Sequence, residues 1–302
     1  MNKKLLNLLE EYKEYLMTEN VDYEKTIKHY ITYIKEGFMY LNVKSINDVK
    51  KLNYIKVRQN WLSIRRDEGL SGASLNLRIV SLKSFLNYLV GVQILENNIA
   101  NMIKPFPVNV REVEVDEDKL KDMLKLVDNN YKKKPCYATI RDKFIINMLL
   151  FCGLRQSELR DIKIQDVSFT NGEFNVTGKY NKTRTVYIPS NLMGLYREYL
   201  SYRNQIGGEE YLFVSVRGRK LDKNIVTNLA KDITKKVGME NYTAHSLRHA
   251  SCTLLINSGV PIHEVAIILG HSSTDVTLKT YYNPNKKNTK SNIDKNVLLE
   301  II

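Results

Sequence analysis

Cysteine, proline and tryptophan are scarce in this chain: three, six and one among 302 residues. Cys136, Cys152 and Cys252 stand apart, odd in number and without a CxxC pair, which excludes a disulfide framework and a zinc ribbon and points to reduced thiols in a cytoplasmic protein. No apolar run approaches the ~18 residues of a membrane-spanning helix. The opening Met1-Asn2-Lys3-Lys4-Leu5-Leu6 is amphipathic and charged early, unlike a secretory leader. No membrane is therefore expected. Acidic groups are also in deficit: 33 Asp and Glu face 46 Lys and Arg, a formal charge of +13. Such a balance favours a polyanionic partner over an acidic small molecule, and nucleic acid is the first candidate.

What is present is helical periodicity. Leu5, Leu8, Leu9, Tyr12 and Leu16 share one helix face, and Ile27, Tyr30, Ile31, Ile34, Phe38 and Leu41 share another. A third helix is expected from about Val49 to Arg66. Ser71-Gly72-Ala73-Ser74 then caps a fourth that carries Leu75, Ile79, Leu82, Phe85, Leu86 and Leu89. The first 104 residues therefore predict a small all-α domain. Lys25, Lys28, Arg65, Arg66, Arg78 and Lys83 fall on its polar faces, as solvated charge or as phosphate contacts. Pro105 and Pro107 exclude a helix, so residues 105–115 read as an extended linker to a second domain over 116–290.

Helical patterns cover 117–128 and, more apolar, 138–151, where Gly153 ends the run. Phe174-Asn175-Val176-Thr177 and Thr185-Val186-Tyr187-Ile188 alternate as strands, with residues 178–184 as the turn between them. Helices resume at 191–204, 222–237, 249–258 and 262–269. The expected fold is mainly α with a small antiparallel β-sheet, in two domains. The final residues, 291–302, end apolar with Val297, Leu298, Leu299, Ile301 and Ile302. Such a patch calls for a cover, either the chain's own second domain or a neighbouring protomer.

The chemistry concentrates late in the chain. Tyr242 through His249, and Leu269-Gly270-His271 through Tyr281-Tyr282, supply imidazoles, a guanidinium and phenols on segments that can fold back on one another. Metal-free phosphoryl transfer uses a nucleophile, fixed positive charge and a proton donor for the leaving oxygen. Arginine suits the charge because its planar fork matches phosphate oxygens, as lysine's point charge does not. A zinc-hydrolase reading of His245 and His249 fails, because Ser246 stands where the glutamate would be and no further ligand cluster follows. A phosphate-loop reading of Gly172 to Lys179 also fails: it has one residue too many, and Tyr180 replaces the magnesium-holding Ser or Thr. Neither a metal nor a cofactor is expected.

Gly153-Leu154-Arg155-Gln156-Ser157-Glu158-Leu159, Gly178-Lys179-Tyr180-Asn181-Lys182-Thr183-Arg184, His245-Ser246-Leu247-Arg248-His249 and Leu269-Gly270-His271 through Tyr281 resemble, in order, the sequence boxes of the tyrosine recombinases. This is the phage integrase family, with its Xer-like and mobile-element members. The resemblance spans roughly residues 117–285, and the first domain is similar to the family's core-binding helices. It implies a site-specific DNA recombinase that cuts and rejoins duplex DNA through a 3′-phosphotyrosyl intermediate. Arg155, Lys179, His245, Arg248, His271 and Tyr281 are then the catalytic set, with Tyr282 the alternative nucleophile. Lys179 is the general acid in this scheme, and Glu158 orients a guanidinium from behind. Lys182, Arg184, Lys25, Lys28, Arg78 and Lys83 are the implied DNA contacts, and a tetramer on two duplexes is the implied assembly. A type IB topoisomerase shares the chemistry, and a non-catalytic DNA-binding regulator would account for the charge alone.

Overall fold

A computed structural model describes residues 1–19, 24–108, 115–168, 172–177, 183–240 and 242–270. The chain divides into two compact units, Met1–Arg111 and Glu112–Ile302. Among the described residues the architecture is mainly helical, with one three-stranded antiparallel sheet. No helix there is long and apolar enough to cross a membrane.

The first unit is built from α1 (Lys3–Glu19), α2 (Glu24–Tyr40) and the long α6 (Gly72–Gly91). Each buries the stripe that the sequence predicts, around Tyr12, Ile34, Phe38, Trp61 and Phe85. The single helix expected over 49–66 is instead broken. Ser45 caps α3 (Ile46–Lys50), and Asn53 caps α4 (Tyr54–Val57), accepting a hydrogen bond from the Lys56 amide. A π-helical turn at Arg58–Ser63 then leads into α5 (Ile64–Asp67). Asn53 starts a helix rather than continuing one, because its side-chain oxygen satisfies an otherwise orphan backbone donor.

Two expectations change here. Residues 105–107 are part of the first unit: Phe106 is buried, its amide and carbonyl are bonded to Asn76 at 2.7 and 2.9 Å, and the Arg58 guanidinium stacks on its ring at 3.6 Å. Arg78, expected on DNA, is a packing residue. Its Nε and Nη2 bind Glu36 at 3.0 and 2.8 Å, its Nη1 binds the Ser74 carbonyl, and it lies over the Tyr33 ring. Glu36 also receives Arg65 at 2.8 Å and the Trp61 indole N–H at 3.3 Å. Burial alone would raise the Glu36 pKa, but these donors outweigh it and hold the group below its ordinary value. Lys25, Lys28 and Lys83 remain exposed.

In the second unit, α8 (Tyr137–Phe151) is surrounded by α7 (Glu117–Lys133), α10 (Met193–Ile206), α11 (Lys223–Lys236) and α12 (Ala244–Asn257). Phe144 packs on Tyr196, Tyr199 and Phe213 with ring centroids 5.1–5.8 Å apart. The sheet runs β1 (Val167–Ser168), β2 (Glu173–Thr177), β3 (Thr183–Tyr187), with Phe174 opposite Val186 and Val176 opposite Arg184. Short helices α9 (Gln156–Asp161) and α13 (Ile262–Leu269) complete the unit.

Replacing Arg78 by alanine should lower stability to urea by about 3 kcal/mol, the scale for removing one partner of a buried ion pair. Lys28→Ala should shift it by no more than about 0.5 kcal/mol. An R78A chain as stable as wild type would return Arg78 to the phosphate-contact candidates.

Candidate active site

The site grows from the end of α8. Gly153 leaves that helix at φ +57, a conformation that favours glycine, and its bare Cα lets α13 approach. A Cβ there would stand 2.2 Å from Leu269 Cδ2. Arg155 follows as the N-cap of α9, and Glu158 lies one turn on. Glu158 Oε2 accepts the Arg155 backbone N–H at 2.8 Å, while its Oε1 accepts the Arg155 guanidinium at 2.6 Å. One carboxylate thus fixes both the start of the helix and the direction of the arginine leaving it.

Two more guanidinium groups reach the same carboxylate. Arg184, on β3, binds it through Nη1 and Nη2 at 2.8 and 3.0 Å. Arg248, on α12, comes within 3.7 Å. All three arginines also bond the last turn of α13: Arg184 Nε donates to the Ile268 carbonyl at 3.1 Å, Arg248 Nη2 to Leu269 at 2.5 Å and Arg155 Nη2 to Gly270 at 2.9 Å. Arg248 Nη1 donates to the Gly153 carbonyl at 2.6 Å. Those carbonyls form the negative end of a helix and suit cations. Three positive charges against one negative leave the cluster two charges positive.

Burial of Glu158 would raise its pKa, but Arg184, with help from Arg155, overrides burial and holds it at about 2. His245 stands in the first turn of α12, where Thr243 caps the helix through the Ser246 amide. The helix therefore begins before His245, not after it, and presents His245 and Arg248 from one rigid element. Desolvation of the His245 ring, then the charges of Arg248 and Arg155, hold its pKa below the usual value. That shift favours the neutral imidazole, the form that can accept a proton.

The sequence expectations divide accordingly. Arg155, Glu158, His245 and Arg248 come together. Arg184 joins them, but facing inward: each nitrogen of its guanidinium bonds Glu158 or a carbonyl, in place of the phosphate contact expected of a turn residue. Strand β3 begins at Thr183, so Arg184 lies on the same inner face as Val186. Lys179, Lys182, His271 and Tyr281 lie outside the described residues.

Residues 114–288 match the model of the phage integrase family. The chain belongs to that family. Residues 9–92 match the N-terminal SAM-like domain of phage integrases. This phage integrase family member is 31% identical to tyrosine recombinase XerA of Pyrococcus horikoshii over 300 residues, 98% of this chain and 95% of the relative. It is 28% identical to the TnP I resolvase of Bacillus thuringiensis, covering 96% of this chain and 99% of that one. Its fold is similar to that of the Tn1549 transposon integrase in complex with a circular intermediate DNA, with a TM-score of 0.74, 16% identity and coverage of 96% and 99%. It is also similar to XerH recombinase bound to difH substrate, with a TM-score of 0.70, 19% identity and coverage of 95% and 94%. The chain is a tyrosine recombinase.

A depressed carboxylate stabilises the folded state fully above its unfolded pKa and loses that contribution as pH falls through the folded one. For Glu158 the window runs from the ordinary 4.5 down to about 2. Across it this one group should withdraw about 3 kcal/mol of unfolding free energy. Urea unfolding at a series of pH values should show that component in wild type and not in Glu158→Gln. Parallel pH profiles would mean that Glu158 does not act as the buried anion.

Proposed function

We propose that this tyrosine recombinase cuts and rejoins duplex DNA at a specific site, with Tyr281 as nucleophile and the arginine cluster as the cradle for the scissile phosphate. Attack by the Tyr281 oxygen on phosphorus forms a 3′-phosphotyrosyl bond and breaks the bond to the 5′-oxygen. The tyrosine proton passes to an imidazole nitrogen, that of His245 or His271. The 5′-oxygen takes a proton from Lys179. A 5′-hydroxyl from a partner strand reverses these steps. No nucleotide is consumed, because the protein–DNA ester conserves the energy of the bond it replaces.

The observation that carries this reading is the pair Arg155 and Arg248, each with one outer nitrogen on a carbonyl oxygen at the end of α13, Gly270 and Leu269 respectively, in a cluster two charges positive. A phosphate oxygen is a stronger acceptor than a carbonyl, and the charge suits the dianionic phosphorane of the transition state. The net +13 and the exposed Lys25, Lys28 and Lys83 support contact with the DNA backbone. Lys182 belongs to this backbone set as well. The relatives named above support a recombinase over a DNA-relaxing enzyme.

Assembly is part of the proposal. Val297, Leu298, Leu299, Ile301 and Ile302 give the chain an apolar end, which we assign to docking on a neighbouring protomer within a tetramer on two sites. That none of the three cysteines is in a disulfide fits action in the cytoplasm.

The direct experiment incubates the chain in EDTA with a randomised pool of nicked duplexes, recovers covalent adducts by denaturing electrophoresis and amplifies the captured DNA. Wild type should form an adduct on a selected sequence. Tyr281→Phe should abolish it while leaving affinity for that duplex nearly intact. Loss of adduct in Tyr282→Phe instead would move the nucleophile by one residue. Arg155→Lys and Arg248→Lys should each slow cleavage by roughly 10²- to 10³-fold, the range for losing one charge-stabilising donor. Deleting residues 292–302 should weaken assembly on paired sites and spare binding of one protomer to a half-site; unchanged pairing would remove the tail from the interface.

A further inference from the structure

Arg184 is the guanidinium for which the mechanism has no phosphate. Its two outer nitrogens take both oxygens of Glu158, and its Nε takes the Ile268 carbonyl. What sets it apart is the fork: Arg155 reaches Glu158 with one guanidinium nitrogen and Arg248 comes no nearer than 3.7 Å, whereas Arg184 takes both carboxylate oxygens. The surroundings are shaped to it. Gly270 follows α13 in the left-handed conformation, and a Cβ there would lie 2.7 Å from Arg184 Cδ and 2.8 Å from its Nη1. The β2–β3 register sets Arg184 opposite Val176 and turns it toward the interior with Val186. One side chain therefore joins the hairpin strand, the start of α9 and the last turn of α13.

We propose that Arg184 is a positioning residue for strand cleavage. It is the standing counter-ion of Glu158 and the clamp on the end of α13, and it touches no phosphate. The inference rests on the function proposed above. When Arg155 turns from the Gly270 carbonyl to a phosphate oxygen, Glu158 keeps a bidentate partner and its buried charge stays compensated. Without Arg184, the carboxylate, with a side chain only 1% exposed, would hold Arg155 and Arg248 as its counter-charges and oppose their transfer to DNA. The clamp has a second effect. Residue 271 is bonded to Gly270, so the segment that leads to Tyr281 starts from a point that Arg184 fixes. Lysine would keep the charge, but its single nitrogen cannot present a planar fork to both oxygens of Glu158 while also bonding Ile268.

The test compares wild type, Arg184→Lys, Arg184→Met, Glu158→Gln and the double variant on the duplex selected by wild-type adduct formation. Three quantities are read: the adduct rate at saturating DNA, the Kd as a function of salt, and the melting temperature. R184M should lower the saturating rate by about 100-fold, the scale of a misplaced reacting group. Its Kd should stay within about twofold, with the salt slope unchanged, because no phosphate contact is lost. R184K should recover only a small part of the rate, and it supplies the same split between rate and affinity if R184M does not fold. The double variant should cleave no more slowly than R184M, since the charge that Arg184 compensates is gone. Two results would overturn the inference. One is a weaker Kd with a salt slope reduced by about 1 and a wild-type saturating rate, the signature of a phosphate contact. The other is a double variant whose defect is the product of the two single ones. A wild-type chain that forms no adduct on any duplex would sink the proposed function, and the positioning role with it.

Discussion

Everything in the second unit's site depends on the buried carboxylate of Glu158. An anion without water is costly, and the protein offsets that cost with three guanidinium groups from three elements: the N-cap of α9, strand β3 and helix α12. The same three arginines neutralise the exposed carbonyl end of α13. Neither anchor would suffice alone. Glu158 sets where the charges converge, and the α13 carbonyls set which way the remaining N–H groups point. The result is a pocket that is preorganised and carries excess positive charge before any ligand arrives. Stabilising a developing dianion requires that state, because little reorganisation is then left for the moment of reaction.

The first unit uses the same device for a different end. Glu36 gathers Arg65, Arg78 and the Trp61 indole between α2, the π-helical turn, α5 and α6. There the arginines serve packing, with Arg78 over the Tyr33 ring and Arg65 over the Tyr40 ring. Gly37 lies against the Trp61 ring so closely that a Cβ would come within 2.8 Å, which shows how tightly that corner is filled. Two carboxylate hubs in one chain thus separate by what surrounds them. One packs among the aromatic rings of Tyr33, Tyr40 and Trp61, whereas the other borders His245 and the point where the chain leaves α13.

Much of this was legible in the sequence. The period of 3.6 located the long helices, the apolar-rich run over 138–151 marked the buried α8, and the alternation of Phe174 and Val176 with Val186 gave the hairpin. Arg155, Glu158, His245 and Arg248 were identified by their boxes, and the fold gathers them. The two arginines that face inward, Arg78 and Arg184, share one cause: a long apolar stem lets a cation occupy a core position if a carboxylate waits there. Arg78 falls between Leu75, Ile79 and Leu82, at the buried spacing of its own helix, and Arg184 is two residues from Val186, on the inward face of its strand. Position in the period carries that information, and charge alone does not. The docking of residues 105–107 was not legible at all, since two prolines say that the backbone is extended and nothing about what Phe106 finds to pack on.

The most direct measurement of the central claim is an experimental structure of the chain on its selected duplex with orthovanadate joining the cleaved ends as a mimic of the pentacoordinate phosphorus. The account predicts Arg155 and Arg248 within hydrogen-bond distance of the vanadate oxygens, and Arg184 still forked on both oxygens of Glu158. A vanadate held by Arg184, or a Glu158 carboxylate that has given up Arg184 for another partner, would contradict it.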